Sequence, residues 1–317
     1  MMNSIPITCL ICLLGITAPD LAHAIDKWEY KLDLEYGLRV DQFDWNIAAN
    51  LAGTGPNVIS ELKWSNVGFH EARLGFRFIG DQTWYLKGYT TKGWGFQGAN
   101  QDSDYNGDDR SLEYSRSTAN SDRSSAEDFS IAIGQQIRLD NRFGITPLVG
   151  FSSHRQHFTM TNGSQTLCDS SGTPKLCNNG LGPIAGLNSS FTTHWRGPWL
   201  GLDLRFASAN RWTTYAELEY HYSYYDAQAN WNLRSDLQQP KSHVQSARGQ
   251  GVHLGLGLSY ALLKPHSFLN LGLAQKKYST RKGVHNFYFA NGTVSSQPLN
   301  HVNWHSSAIT IGITSQY

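Results

Sequence analysis

From Trp28 to Asp41 the chain reads W-E-Y-K-L-D-L-E-Y-G-L-R-V-D, with apolar or aromatic residues at every second position and charges of both signs in most of the gaps. A period of two marks a β-strand, because successive side chains point to opposite faces of the sheet. A half-buried strand of a soluble sheet usually has ~5–6 residues, whereas a tilted membrane-spanning strand needs ~9–11. The stretch therefore predicts a transmembrane strand with lipid against one face and a polar barrel interior against the other.

The same rhythm returns over Glu61 to Ile79, Trp84 to Gln97, Phe129 to Leu139, Ile145 to Phe151, Pro198 to Phe206, Thr213 to Tyr225, Val252 to Tyr260, Leu269 to Leu273 and Ser307 to Tyr317. Gly80-Asp81-Gln82, Asp140-Asn141-Arg142, Ala207 to Arg211 and Lys264-Pro265-His266 predict four short turns. Longer polar segments, including Gly98 to Ser125 and Phe287 to Pro298, predict five loops on the other side. Short and long connections alternate, as in outer-membrane barrels with periplasmic turns and external loops. The predicted fold class is all-β, a ten-stranded antiparallel transmembrane barrel over residues 25–317. Pro147 has no backbone donor and predicts a bulge or kink in its strand.

Ten strands also constrain the interior. Side chains just fill a barrel of eight, and water-filled channels belong to barrels of ~16–18. The inward Glu29, Lys31, Asp33, Glu35, Arg39, Glu71, Arg73, Arg77, Glu217, Glu219 and His221 are expected to neutralise one another across a plugged lumen. A narrow channel is the alternative reading of the same residues.

Composition agrees with a membrane boundary: 10 Trp and 15 Tyr are many for a soluble protein, and both side chains suit interfaces. Mean hydropathy of −0.41 excludes a bundle of membrane helices but not a barrel with a polar interior. Lys+Arg 26 against Asp+Glu 25 leaves no basic excess for nucleic acid. Met1 to Ala24 is apolar, too short to span, and ends in Ala22-His23-Ala24, so a signal peptide cut after Ala24 is expected. Cleavage removes Cys9 and Cys12. Cys168 and Cys177, alone in an exported chain around D-S-S-G-T-P-K-L, predict a disulfide. No metal site is predicted.

Two phrases carry a resemblance. Gly37-Leu38-Arg39-Val40-Asp41-Gln42-Phe43-Asp44-Trp45 and Asp102-Ser103-Asp104-Tyr105, above the third strand, resemble the omptin family of outer-membrane proteases. The closing strand ending on Tyr317 resembles outer-membrane barrels in general, with Ser315 where an apolar residue is usual. Pro56 to Trp64 and Gln101 to Ser117 look closer to an omptin-like group named for the Protochlamydia outer-membrane protein.

The omptin resemblance implies a catalytic groove at the outer rim, with an Asp–Asp pair on one wall and an Asp-x-His pair on the other. Asp102 and Asp104 match the first wall, but Asn230-Trp231-Asn232 stands at the second. Asparagine exchanges no proton near neutral pH, so it replaces neither member. His221 is expected to lie too deep, whereas His243, His285 and His301 are expected in loops that could approach. Asp102, Asp104, Asp108 and Asp109 also read as a solvated acidic loop or a calcium cluster. The expectation is an outer-membrane surface protein with a degenerate protease site and binding loops. Its expected partners are outer-membrane lipid, with lipopolysaccharide a candidate for dependence, and an external ligand, not nucleic acid. An active endopeptidase using Asp102 and Asp104 with a rearranged histidine is the alternative.

Overall fold

The computed structural model describes residues 28–80, 83–171, 177, 180–208, 210–263 and 266–317, so the expected signal peptide and parts of the short turns lie outside the described residues. The strands are β1 (Trp28–Ile47), β2 (Ser60–Gly80), β3 (Trp84–Tyr105), β4 (Glu113–Asn120), β5 (Ser125–Gln135), β6 (Ile137–Arg138), β7 (Phe143–Cys168), β8 (Gly182–Ala207), β9 (Trp212–Asn230), β10 (His243–Ala261), β11 (Ser267–Thr280), β12 (Gly283–Tyr288) and β13 (Val294–Gln316). All named pairings are antiparallel, and β1 pairs with β13 to close the sheet. Two staves of the barrel are segmented. β4, β5 and β6 together lie between β3 and β7, while β11 and β12 together lie between β10 and β13, which makes a ring of ten.

Several expected loops are strands. Gly98 to Ser125 continues β3 and supplies β4, and Phe287 to Pro298 holds the end of β12 and the start of β13. Pro147 pairs with Leu202 in unbroken register, so the expected kink is absent from β7. Its missing donor falls where the neighbouring stave is interrupted between Gln135 and Ile137. The expected Cys168–Cys177 disulfide is formed and ties the end of β7 to the β7–β8 loop.

Strands of 19 to 26 residues, such as β7, β8 and β9, are about twice what a bilayer requires. Polarity changes sides along them. In the lower half of β1, Leu32, Leu34, Tyr36, Leu38 and Val40 point outward and are exposed, while Asp33 and Arg39 are buried inside. Higher on the same strand Phe43 and Trp45 are buried inside, and Gln42 faces out. β9 repeats the exchange, from outward Leu218, Tyr220 and Tyr222 with inward Glu219 and His221 to inward Tyr225, Ala227 and Ala229. The lower half has an apolar exterior and encloses charge. The upper half encloses a core of Phe43, Trp45, Trp64, Phe158, Phe191, Trp195, Tyr225, Tyr278 and Trp304.

A charged belt separates the halves. Arg39 donates to Asp41 at 2.8 Å, and to Glu71 and Asp128 at 3.1 Å each. Asp128 also meets Lys276 at 2.5 Å and His154 at 3.0 Å. Tyr278, which lies 3.1 Å from His154, fits over Gly251, where a Cβ would stand 2.4 Å from its ring. Removing one member of such a belt strands buried charge, which costs about 3–5 kcal/mol. Asp128→Ala should lower unfolding stability in detergent by that amount. Glu127→Ala, at the exposed neighbouring position, should change it by less than about 0.5 kcal/mol.

Candidate functional site at the outer rim

Bulges aim the rim. Between Ser65 and Phe69 on β2 and opposite them on β3 the register slips, with Asn66 at φ 51° and Gly98 at φ 153°. Both backbone values favour Asn or Gly, and at Gly98 a Cβ would also crowd Ser121 O at 3.1 Å. Inward positions are odd-numbered below the slip, as at Tyr89 and Phe69. Above it they are even-numbered, as at Leu62 and Trp64. Asp102 pairs with Leu62 and Asp104 with Ser60, so both carboxyls turn toward the rim of the lumen.

Two residues apart on one strand face, the carboxyls sense each other. Burial first, then the Asp104 charge, pushes Asp102 well above the usual carboxylate range, with Arg234 opposing. Burial likewise raises Asp104, against hydrogen bonds from Ser60 and Ser115 and the charge of Arg234. Asp102 Oδ1 is buried and accepts no hydrogen bond. Tyr114 beside them is pushed up to about 12 by burial and by both aspartates.

Asp108 and Asp109 do not join this pair. Asp108 Oδ1 accepts from the Gly55 and Asn57 backbone N–H groups at 3.1 and 2.7 Å, and Asp109 exchanges two 2.8 Å bonds with Asn57. They clasp the β1–β2 loop. The four aspartates therefore do not converge as a calcium cluster would require.

The opposite wall follows β9. Asn232 Oδ1 accepts from Asn188 N–H at 2.9 Å and from the Ser189 hydroxyl at 3.0 Å, while its Nδ2 donates to Gly186 O at 2.8 Å. Its amide is spent on holding the β8 rim. Arg234 donates twice to Asp236, at 2.8 and 2.7 Å, and its charge reaches Asp102, Asp104 and His243.

Of the expected histidines, His243 lies in β10, His285 in β12 and His301 in β13, all in strands rather than loops. His243 stacks on His285 with centroids 4.5 Å apart and meets the edge of Trp231 at 4.4 Å. Burial holds both rings well below the ordinary histidine value, His285 at about 3, so both are neutral. Tyr225 donates to Gln245, whose Nε2 lies 3.1 Å from His285 Nδ1, and neither ring has a carboxylate partner among the described residues. His301 lies 3.3 Å from Asp44, and His221 is deep, 3.1 Å from Glu219.

All eleven sequence-predicted interior residues face inward. Glu29 pairs with Lys31 at 2.8 Å, Asp33 with Arg77 at 2.6 Å, and Glu35 accepts from Thr310 at 3.1 Å. Arg73 lies 4.1 Å over the Tyr89 ring. Glu71 belongs to the belt around Arg39, while Glu217 and Glu219 gather on Lys87. The sequence reading missed Asp128, which adjoins the recognised outward Phe129, and His154 and Lys276, which continue the inward parity of their strands beyond the last recognised outward residues, Phe151 and Leu273. It also missed the upper aromatic core, whose signal is the exchange of apolar parity near Asp41 to Phe43.

The chain matches the family model of the Protochlamydia outer membrane protein, Pom, over residues 33–317. No protein of curated function matches it. Among solved structures it is similar to the outer membrane protease OmpT from Escherichia coli, with a TM-score of 0.74 and 13% identity over 91% of this chain and 97% of that one. The translocator domain of the autotransporter NalP from Neisseria meningitidis aligns over 98% of this chain and 97% of its own, at 10% identity and a TM-score of 0.37. OprG from Pseudomonas aeruginosa aligns over 91% and 95%, at 11% identity and a TM-score of 0.35. At these identities the likeness to OmpT concerns the fold alone. With nearly all of the barrel matched, the chain belongs to the Protochlamydia outer membrane protein family of outer-membrane β-barrels.

Proposed function

We propose that this outer-membrane barrel is a surface-binding protein whose rim groove receives an external ligand and does not hydrolyse peptides. The observation that carries this reading is the wall facing Asp102 and Asp104. Activating water there would need a group that takes a proton and a partner that holds its basic form. Asn232 is committed to loop bonds, Arg234 donates only, and the neutral His243 and His285 rings lie among aromatics without a carboxylate. The aromatic core and charged belt beneath also favour a binding barrel over a narrow channel.

A lipid partner with phosphate groups, such as lipopolysaccharide, fits the outward face just above the apolar band. Lys92, Arg155, Arg196 and Arg248 stand there on β3, β7, β8 and β10. Arg196 is supported by Asp226 at 3.0 Å and lies over Tyr224. In an Arg155→Glu/Arg248→Glu double variant, co-purifying lipopolysaccharide should fall several-fold. Unchanged content would remove this partner.

Peptides with basic residues, offered to refolded barrel with and without lipopolysaccharide, should not be cleaved above the rate of an Asp102→Ala/Asp104→Ala control. Turnover that disappears on Asp104→Asn would instead establish the peptidase alternative.

The carboxyl pair also sets a pH dependence. A folded carboxyl raised above its unfolded value, ~3.9 for Asp, favours its neutral form, so the fold loses stability as pH climbs through the raised value. Asp102→Asn removes that loss. It should stabilise the barrel by about 1 kcal/mol at pH 7, with the gain fading below about pH 4 in chemical unfolding.

A further inference from the structure

Below the belt around Arg39 the lumen opens into a cavity lined by Arg73, Lys87, Glu217 and His253. A second cavity shares Arg77, Tyr215 and Glu217 with it and reaches Glu29, Arg138 and Arg205 near the periplasmic turns. The lower lumen is thus a vestibule facing the periplasm, blocked above by the belt and the aromatic core.

At its upper end charge is unbalanced. Asp203, Glu217 and Glu219 converge on the single ammonium of Lys87, at 2.8, 3.3 and 3.3 Å. Three carboxylates against one ammonium leave two negative charges. Of the other nearby cations, Arg77 is committed to Asp33 and Lys276 to Asp128, while Arg73 lies over the Tyr89 face and divides its charge between Glu35 and Glu217. His221 and His253 both approach one atom, Glu219 Oε2, at 3.1 Å. Glu219 is 1% exposed, and its Oε1 is approached by Lys87 Nζ at 3.3 Å without a hydrogen bond. One ligand atom each from Glu217, Glu219 and His253 lie within 4.8 Å of one another.

We propose that Glu217, Glu219 and His253 form a divalent-cation site open to the periplasmic vestibule. A dication supplies the two missing positive charges. Two carboxylates with one imidazole suit first-row ions such as borderline Zn²⁺, or Mn²⁺ with its mixed oxygen and nitrogen donors, better than Ca²⁺ or Mg²⁺, which take oxygen, or Cu⁺, which prefers sulfur. Bonds of ~2.0–2.2 Å to Zn²⁺ place ligand atoms about 3–4 Å apart, so small side-chain rotations close the set. Lys87 keeps its shortest contact, to Asp203, and releases the two looser ones. Sequence spacing already places Glu217 and Glu219 on one face of β9, and β10 brings His253 opposite Glu219.

The test uses the whole mature barrel, refolded in detergent and stripped with a chelator, then titrated with ZnCl₂ and with MnCl₂ by calorimetry. One saturable equivalent is expected, with bound Mn²⁺ also giving an altered paramagnetic resonance spectrum. Glu219→Gln should abolish binding, His253→Asn should weaken it at least tenfold, and His301→Asn at the outer rim should leave it unchanged. Absence of saturable binding, or equal affinity in the wild type and His253→Asn, overturns the site. Should Glu219→Gln fail to fold, seen as loss of the heat-dependent gel shift of the barrel, His253→Asn decides alone, because its amide still offers Glu219 a donor.

Discussion

A wall that crosses from lipid into water must present opposite faces to its surroundings at its two ends, and this barrel is arranged around that exchange. In lipid the apolar side chains belong outside and the polar ones inside, because hydrocarbon solvates no charge. In water the preference reverses, and apolar groups leave the solvent for the interior. β1 makes the change without losing its rhythm: Leu38 and Val40 face out, and Phe43 and Trp45, three and five residues beyond Val40, face in. Arg39 and Asp41 occupy the level where neither rule applies, so charge collects there as a buried, hydrogen-bonded belt.

The consequence for function is a molecule divided by level. Above the belt, rings from most of the staves fill the lumen and leave it closed. Below it, charged side chains line two adjoining cavities that reach toward the short turns. What reaches the protein from outside therefore meets only the rim, where Asp102 and Asp104 face Arg234 across the top of the aromatic core. From the turn end the cavities lead to Lys87 and its three carboxylates.

A shared architecture fixes the fold and leaves the side chains of the rim open. OmpT and this chain superpose over most of their length at 13% identity, which reflects how few ways there are to close ten strands around a filled interior. A carboxyl pair stands on β3, and across from it the side chains act as struts: Asn232 bonds three groups of the β8 rim, and Arg234 is locked to Asp236. Groups already saturated by structural bonds are poor candidates for moving protons. They hold the β8 rim and the loop after β9 in a fixed shape.

The sequence by itself determined the barrel, its ten staves, the inward charges and the cysteine pair, because alternation, turn residues and strand length are local properties of consecutive positions. It also contained the reversal of polarity near Asp41 to Phe43, legible as a change in which parity is apolar. The tertiary structure alone decided which charges meet: Arg39 with Asp128 from three staves along the sheet, or Lys87 with Asp203 and Glu217 across the lumen. It alone placed Asp102 and Asp104 inward, since two bulges shift the facing of β2 and β3, and it turned expected loops bearing His243 and His285 into paired strands. Such features depend on register and closure, which join residues by neighbouring strands and not by adjacency along the chain.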